Sequence, residues 1–148
     1  MTARSVIVGR DGRAKAFRPL PAAERATALG AGLAAYERGD FFEAHELLEP
    51  AWMGSDDPAE RALLQGLIKL AAAYVHAVRG NPVGIAKNLR GARDRLAEAE
   101  AERLAARQPP AWLDGARLIA EIDQRLADLE VHPQGPTVGP PELPRSVP

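Results

Sequence analysis

Apolar positions recur every three or four residues along most of this chain, which is the pattern of amphipathic helices. Glycine, asparagine, aspartate and proline interrupt the pattern, and these residue types commonly end one helix or begin the next. The pattern therefore predicts an all-α protein with five helices. They are expected over about residues 21–38, 40–52, 58–79, 82–107 and 111–130.

Two of the interruptions share one sequence pattern. Arg38-Gly39-Asp40 and Arg79-Gly80-Asn81 each place a glycine before an Asp or Asn, and the two glycines are 41 residues apart. A glycine suits the left-handed position that ends a helix, and Asp or Asn suits the first position of the next. The repeat predicts two antiparallel helical hairpins that stack into a compact bundle, not an open solenoid.

Individual residues sharpen these boundaries. Asp40 with Glu43 three residues later resembles a capping box, and Asp57 and Asn81 are expected to cap the third and fourth helices. Pro50 lacks a backbone donor and disfavours helical geometry in the preceding residue. We therefore expect the second helix to kink or to end early.

The two ends of the chain differ from the middle. Residues 1–20 contain an Asp11-Gly12 turn signal between short apolar pieces, which predicts a small hairpin or an extended arm. Residues 131–148 are rich in proline and glycine, so a disordered tail is expected there. The helical bundle domain should cover residues 21–130.

Composition excludes several classes of protein. The 148 residues include no cysteine, so the chain has neither disulfides nor thiolate chemistry. Nineteen basic and 20 acidic residues give a net charge of -1, which provides no general attraction for nucleic acid or anionic lipid. No apolar run is long enough for a signal sequence or a membrane span. A cytoplasmic protein without membrane contact is expected.

The second helix carries polar residues where apolar ones are usual. At 100° per residue, His45, Glu49 and Trp52 share one face, whereas Glu46 points away from it. An ionised carboxylate buried among apolar residues costs several kcal/mol unless it is paired or hydrogen-bonded. Partners for the buried His45 and Glu49 should therefore come from a neighbouring helix.

The third helix offers such partners. Gln65, Lys69 and His76 form a narrow polar stripe opposite its apolar side, and this stripe either faces water or meets the second helix. If the third helix folds back on the second, Lys69 or Gln65 would approach Glu49. His76 would then approach the other end of the second helix. The expected result is a buried His/Glu polar network.

The stretches FFEAHELLEPAW and LLQGLIKLAAAYVHAVRGNPVGIAKNL closely resemble the family named domain of unknown function 309, small helical proteins of bacteria and archaea. The resemblance covers about residues 36–96 and implies an all-helical fold. It implies no established activity, substrate or cofactor. The residues that match its motif are His45, Glu46, Glu49, Trp52, Gln65, Gly66, Leu67, Ile68, His76, Gly80 and Asn81.

Three hypotheses for the function follow. The first is a binding or assembly module that the polar network orders and that presents a groove or a homodimer face. Tyr36, Trp52 and Trp112 are candidate anchors of such a contact, although core packing is the commoner role of these residue types. The candidate binding or network residues are His45, Glu46, Glu49, Trp52, Gln65, Lys69, His76 and Asn81.

The second hypothesis is a metal-binding bundle or a metal-dependent hydrolase. His45, Glu49 and His76 are side chains that bind Zn, Fe or Mn, and residues four apart on a helix can share one ion. The HELLE segment lacks the second histidine of the zinc-protease motif. No cofactor is predicted, and a divalent metal ion belongs only to this alternative hypothesis.

The third hypothesis is contact with nucleic acid. Basic residues of the fourth helix alternate with Asp94, Glu98, Glu100 and Glu102, which is typical of a solvated face. Nucleic acid is accordingly not an expected partner. The hypothesis combines the basic N-terminal arm with Arg79, before the fourth helix, and with four residues of that helix, namely Lys87, Arg90, Arg93 and Arg95.

Overall fold

The computed structural model describes residues 19–146 in full and the backbone of residues 6–8 and 14–16. Five helices form the fold, as predicted, and the class is all-α. Two short strands precede them and pair as an antiparallel ribbon, which agrees with the expected hairpin. The elements are β1 (Val6–Val8), β2 (Ala14–Ala16), α1 (Ala22–Glu37), α2 (Phe41–Met53), α3 (Pro58–Val78), α4 (Pro82–Ala105) and α5 (Gly115–Val131).

Each helix packs mainly on its neighbours in the sequence. The pairs α1 with α2 and α3 with α4 are the two predicted hairpins, α2 packs on α3, and α5 packs on α4. The central helix α3 buries leucine, isoleucine, alanine and tyrosine side chains over more than half of its length. Leu48, Leu70, Leu89, Leu118 and Ile122 are almost fully buried and link the helices into one core. None of the helices in the described residues has the length and apolar character that a bilayer span needs.

The two hairpin turns have the same backbone structure. Gly39 and Gly80 adopt positive φ angles of 83° and 66°, the left-handed conformation that glycine reaches without steric cost. The amide of Asp40 donates to Ala35, and the amide of Asn81 donates to His76, which is the same bond 41 residues later. The sequence repeat therefore corresponds to a repeated helix-ending turn.

The predicted caps form at two helices and fail at a third. The side chains of Asp57 and Asn81 accept hydrogen bonds from the backbone amides at the start of α3 and α4. Within the described residues, Asp40 makes no such bond at the start of α2. Arg38 lies 2.8 Å from a Glu43 carboxylate oxygen and 3.9 Å from an Asp40 oxygen. The expected capping box is therefore replaced by ion pairs to one arginine.

The expectation that α2 ends early at Pro50 is wrong, and the alternative of a kink there stays a prediction. The helix continues to Met53, and the amide of Gly54 bonds to the Pro50 carbonyl. Pro50 itself is exposed, but Ala51 and Trp52 beyond it are buried. Burial of these two side chains offsets much of the cost of the proline, because a large apolar side chain contributes about 1.5–3 kcal/mol when it is buried and a proline inside a helix costs about 3 kcal/mol.

The segment that follows α5 has no further helix, but the prediction of a disordered tail needs correction over residues 132–146. This tail lies along the bundle and pairs with it through backbone groups. Pro141 is among the most buried residues, and the amides of Asp114 and Ser146 bond to Pro144 and Trp112 carbonyls. A proline-rich segment cannot form its own core, but this one uses a surface that the helices already provide.

Candidate functional site

A histidine and two glutamates come together on one side of α2. The ligating atoms of His45, Glu46 and Glu49 all lie within 4.8 Å of one another. The Nδ1 atom of His45 is 3.3 Å from a carboxylate oxygen of Glu46. The His45 side chain is 26% exposed and that of Glu46 is 57% exposed, so the group is open to solvent. We call these three residues the α2 cluster.

The geometry of a helix explains two members of the α2 cluster. Residues four apart lie above one another on the same face, which brings His45 and Glu49 together as the sequence predicts. Glu46 was expected to point away, because it is one residue further round the helix. Its flexible side chain instead turns back towards His45. A helical wheel places only Cβ atoms, so it missed Glu46 as the second carboxylate of the cluster.

The α2 cluster is only half-buried, so the expectation that His45 and Glu49 are buried is wrong. The buried side of α2 is formed by Ala44, Leu48, Ala51 and Trp52. Phe42, at the start of the same helix, is 60% exposed. The true buried face is therefore rotated towards the small alanine side chains. His45 and Glu49 lie at its edge, where water still reaches them.

Two of the predicted site residues lie at the turn between α3 and α4. Asn81 accepts a bond from the Gly84 amide through its oxygen, and its amide nitrogen is 3.1 Å from Nδ1 of His76. Because the amide nitrogen can only donate, this arrangement assigns the acceptor role to Nδ1 of His76. His76 is therefore the ring that packs over the start of α4. It does not belong to the α2 cluster.

The remaining predicted residues lie on α2 and α3. Trp52 is 7% exposed and belongs to the core. The side chain of Lys69 crosses α4 at Gly91, where an added Cβ would be 3.0 Å from Lys69 Cδ. Glu49, Trp52 and Lys69 each take part in a further interaction as well. Gln65 is half-buried, and its pairing or that of Lys69 with Glu49 stays a prediction.

The basic residues of α4 take part in ion pairs on the surface. Arg93 pairs with Asp123 of α5, and Arg95 pairs with Glu98 one turn further along α4. All four side chains are close to half exposed, as expected for a solvated face. Arg93 and Arg95 are therefore already paired, and both are among the basic side chains that would bind a polyanion.

A second feature was not predicted from the sequence. A cavity of about 310 Å³ lies between the start of α1, the start of α3, the end of α4 and the loop before α5. Its walls include alanines from all three helices, namely Ala26, Ala59 and Ala99. Alanines are ordinary helix residues, so a sequence gives no sign that several of them face one space.

Comparison with known proteins gives one result. A family model described as Domain of unknown function (DUF309) matches residues 29–88. This segment includes α2, α3 and the whole α2 cluster, and it supports the resemblance that the motifs indicate. Searches of curated proteins and of solved structures gave no significant match. Through residues 29–88, the chain is similar to the DUF309 family.

Proposed function

We propose that this protein is a binding protein that holds a divalent transition-metal cation at the α2 cluster. The observation that supports the proposal is the approach of three ligating atoms, one from imidazole and two from carboxylates, to within 4.8 Å. Imidazole nitrogen and carboxylate oxygen together suit Zn, Mn and Fe. His76, which the sequence favoured as a third ligand, is replaced in this proposal by Glu46.

The spacing fits an ion after a small adjustment of side chains. Two atoms that each bind zinc at about 2.1 Å in tetrahedral geometry are about 3.4 Å apart. The largest separation in the α2 cluster therefore has to shorten by up to about 1.4 Å, and the exposed Glu46 side chain has room to rotate. Three ligands from one helix leave the remaining coordination positions to water or to a bound molecule. An ion held in this way supplies Lewis-acid chemistry, which is how a metal-dependent hydrolase would use it.

Metal analysis tests the proposal directly. Protein purified without chelator or affinity tag is expected to contain stoichiometric metal, or to take up one Zn²⁺ or Mn²⁺ per chain in calorimetry. His45→Ala and Glu49→Gln should each weaken this binding at least tenfold, because each removes one of three ligands.

His76→Ala is the matched control, since it removes an imidazole outside the α2 cluster. Its affinity for the same ion should stay within twofold of the wild type. Circular dichroism establishes that every variant is folded. A folded wild type that takes up no metal would overturn the proposal, and so would equal losses in His45→Ala and His76→Ala.

A second candidate function is self-association, the dimer form of an assembly module. Phe42 and Val78 are 60% and 79% exposed and line one shallow depression with Gly39 and Arg79. Exposed apolar side chains that adjoin one another are typical of contact surfaces. The molar mass in solution tests this candidate: a dimer that becomes a monomer in Phe42→Ser supports it, and a wild-type monomer removes it. Trp52 is unsuitable for this test because it is buried.

A further inference from the structure

The cavity at the end of the bundle has apolar walls and one exposed side. Leu63 and Leu64 of α3 and Leu96 of α4 line its interior, and Trp112 closes it from the loop before α5. Ala26 of α1 lines it too and is exposed, so the cavity reaches solvent past α1. The volume of about 310 Å³ is within the range of small-molecule sites, which begins at about 300 Å³.

The charged side chains that line the cavity already have partners. Arg25 Nε is 3.4 Å from a Glu60 oxygen, and Arg103 pairs with Glu100 at 2.7 Å. The remaining lining carboxylate, Asp57, accepts bonds from the amide of Glu60 and from the side chain of Gln108. An ionised ligand would lose its hydration in this apolar space, where both arginines are already paired with carboxylates and Asp57 already accepts two hydrogen bonds. The lining therefore favours a neutral ligand.

The wall formed by Trp112 is held in place by the tail. The amide of Ser146 donates to the Trp112 carbonyl at 2.8 Å, and the Arg145 guanidinium lies 4.9 Å from the centre of the indole ring. The amide of Asp114 bonds to the Pro144 carbonyl at 2.9 Å. These contacts fix the loop from the outside, so the cavity is formed before any ligand enters. Small-molecule sites are commonly preformed in this way.

We propose that this cavity binds a neutral, mainly apolar small molecule about the size of two fused rings. An apolar cavity of about 150 Å³ holds one benzene ring, so about twice that volume corresponds to two rings. The site is separate from the α2 cluster, since none of its lining residues belongs to that group. The proposal for the cavity therefore does not depend on metal binding at the α2 cluster.

Three naphthalene derivatives of nearly equal size provide the test. 2-Naphthalenemethanol is neutral, 2-naphthoate is an anion and 2-naphthylmethylamine is a cation at neutral pH. In calorimetry with a chelator present, the alcohol should bind with one molecule per chain. The two ions should bind at least tenfold more weakly. Absence of saturable binding of the alcohol would overturn the proposal, and so would an ion that binds equally well.

Two alanine substitutions on α1 locate the binding. Ala26→Phe places a ring at the mouth of the cavity and should weaken binding of the alcohol at least tenfold. Ala34→Phe is the matched control, because Ala34 is an exposed alanine of the same helix outside the lining. It should change the affinity by less than twofold. Should Ala26→Phe fail to fold, Ala99→Leu fills the same cavity from α4 and carries the same expectation.

If the cavity variant and Ala34→Phe lose equal affinity for 2-naphthalenemethanol, the ligand binds elsewhere, and the assignment of its site to the cavity is overturned. His45→Ala serves as a further control, since it alters the α2 cluster and not the cavity. Its affinity for 2-naphthalenemethanol should equal that of the wild type. Weaker binding of the alcohol to His45→Ala would contradict the separation of the two sites.

Discussion

The phenolic oxygen of Tyr36 donates a hydrogen bond of 2.7 Å to the carbonyl oxygen of Pro141, across 105 residues of sequence. Both residues are buried, so neither group has water as an alternative partner. The Tyr36 ring also meets the ring of Phe41 edge-on at 5.4 Å. This bond attaches the tail to the first hairpin, and through the loop before α5 it supports one wall of the cavity.

Replacing Tyr36 by phenylalanine should therefore loosen the tail. The substitution keeps the ring but leaves the buried Pro141 carbonyl without its donor, which costs about 1–3 kcal/mol. Urea unfolding should show this loss in the free energy of unfolding. Limited proteolysis should cut the tail sooner in Tyr36→Phe than in the wild type, with Phe42→Leu, an exposed aromatic position, as the control. Equal cleavage rates would show that the tail is held without this bond.

The two tyrosines of the chain should make its stability sensitive to alkali. Burial raises the pKa of Tyr74 from 10.0 to about 12, and burial raises the pKa of Tyr36 above its ordinary range as well. The folded chain thus retains protons that the unfolded chain releases above pH 10. The stability from this effect is complete below pH 10 and declines as the pH rises towards 12, by about 1.4 kcal/mol per pH unit for each tyrosine.

Urea midpoints measured at several alkaline pH values check this expectation. Tyr74→Phe should have a shallower decline than the wild type, because one of two titrating phenols is removed. Lysine and arginine also titrate at high pH, and taking the difference between the two proteins cancels their contribution. Identical slopes would contradict the raised pKa of Tyr74.

The bonds between Asp128 and Thr137 should make the stability of the tail depend on pH in the acid range. The hydroxyl and the amide of Thr137 both donate to the Asp128 carboxylate, and these bonds hold the pKa of Asp128 below its ordinary value of 3.8. Their contribution is present above pH 3.8 and is lost as the pH falls through the lowered pKa. Thr137→Val removes the hydroxyl donor and should raise the pKa of Asp128.

A carboxyl titration followed by NMR measures the change in the pKa of Asp128. The free energy of unfolding should also differ less between neutral and acid pH in Thr137→Val than in the wild type. Thr27→Val is the matched control, since the Thr27 hydroxyl bonds only to Ala23 within α1. Its acid sensitivity should be that of the wild type. A pKa of Asp128 that does not move in Thr137→Val would remove the proposed cause.

Local signals in the sequence were enough to predict most of the fold. Gly39, Gly80, Asp57 and Asn81 act within a few residues of themselves, so their turns and caps formed largely as expected. The capping box at Asp40 failed because Arg38, a residue outside the motif, attracts both carboxylates. Local chemistry is predictable where no other side chain competes for it.

The candidate site was predicted less completely because it depends on tertiary packing. The i,i+4 relation placed His45 beside Glu49, but whether that face is buried depends on how α2 turns against its neighbours. The stripe on α3 could not reveal that His76 faces α4. The buried position of Pro141 could not be predicted either, because its partner Tyr36 is far away in the sequence.

The close approach of α1 and α2 depends on a glycine. A Cβ built on Gly32 would lie 2.6 Å from two carbons of the buried Leu48 side chain. Leu48 is on the helix that carries the α2 cluster, so the position of that helix depends on this contact. Gly32→Ala should force the two helices apart and lower the free energy of unfolding by about 1–3 kcal/mol.

Gly30→Ala provides a control from the same helix. A Cβ at Gly30 would meet nothing within 4 Å, so the substitution changes only the backbone. Alanine favours a helix over glycine by up to about 1 kcal/mol, and Gly30→Ala should therefore stabilise the protein. Urea unfolding of both variants should give changes of opposite sign. If Gly32→Ala also stabilises the fold, helix propensity outweighs packing at that position, and α1 and α2 are less tightly packed than these contacts indicate.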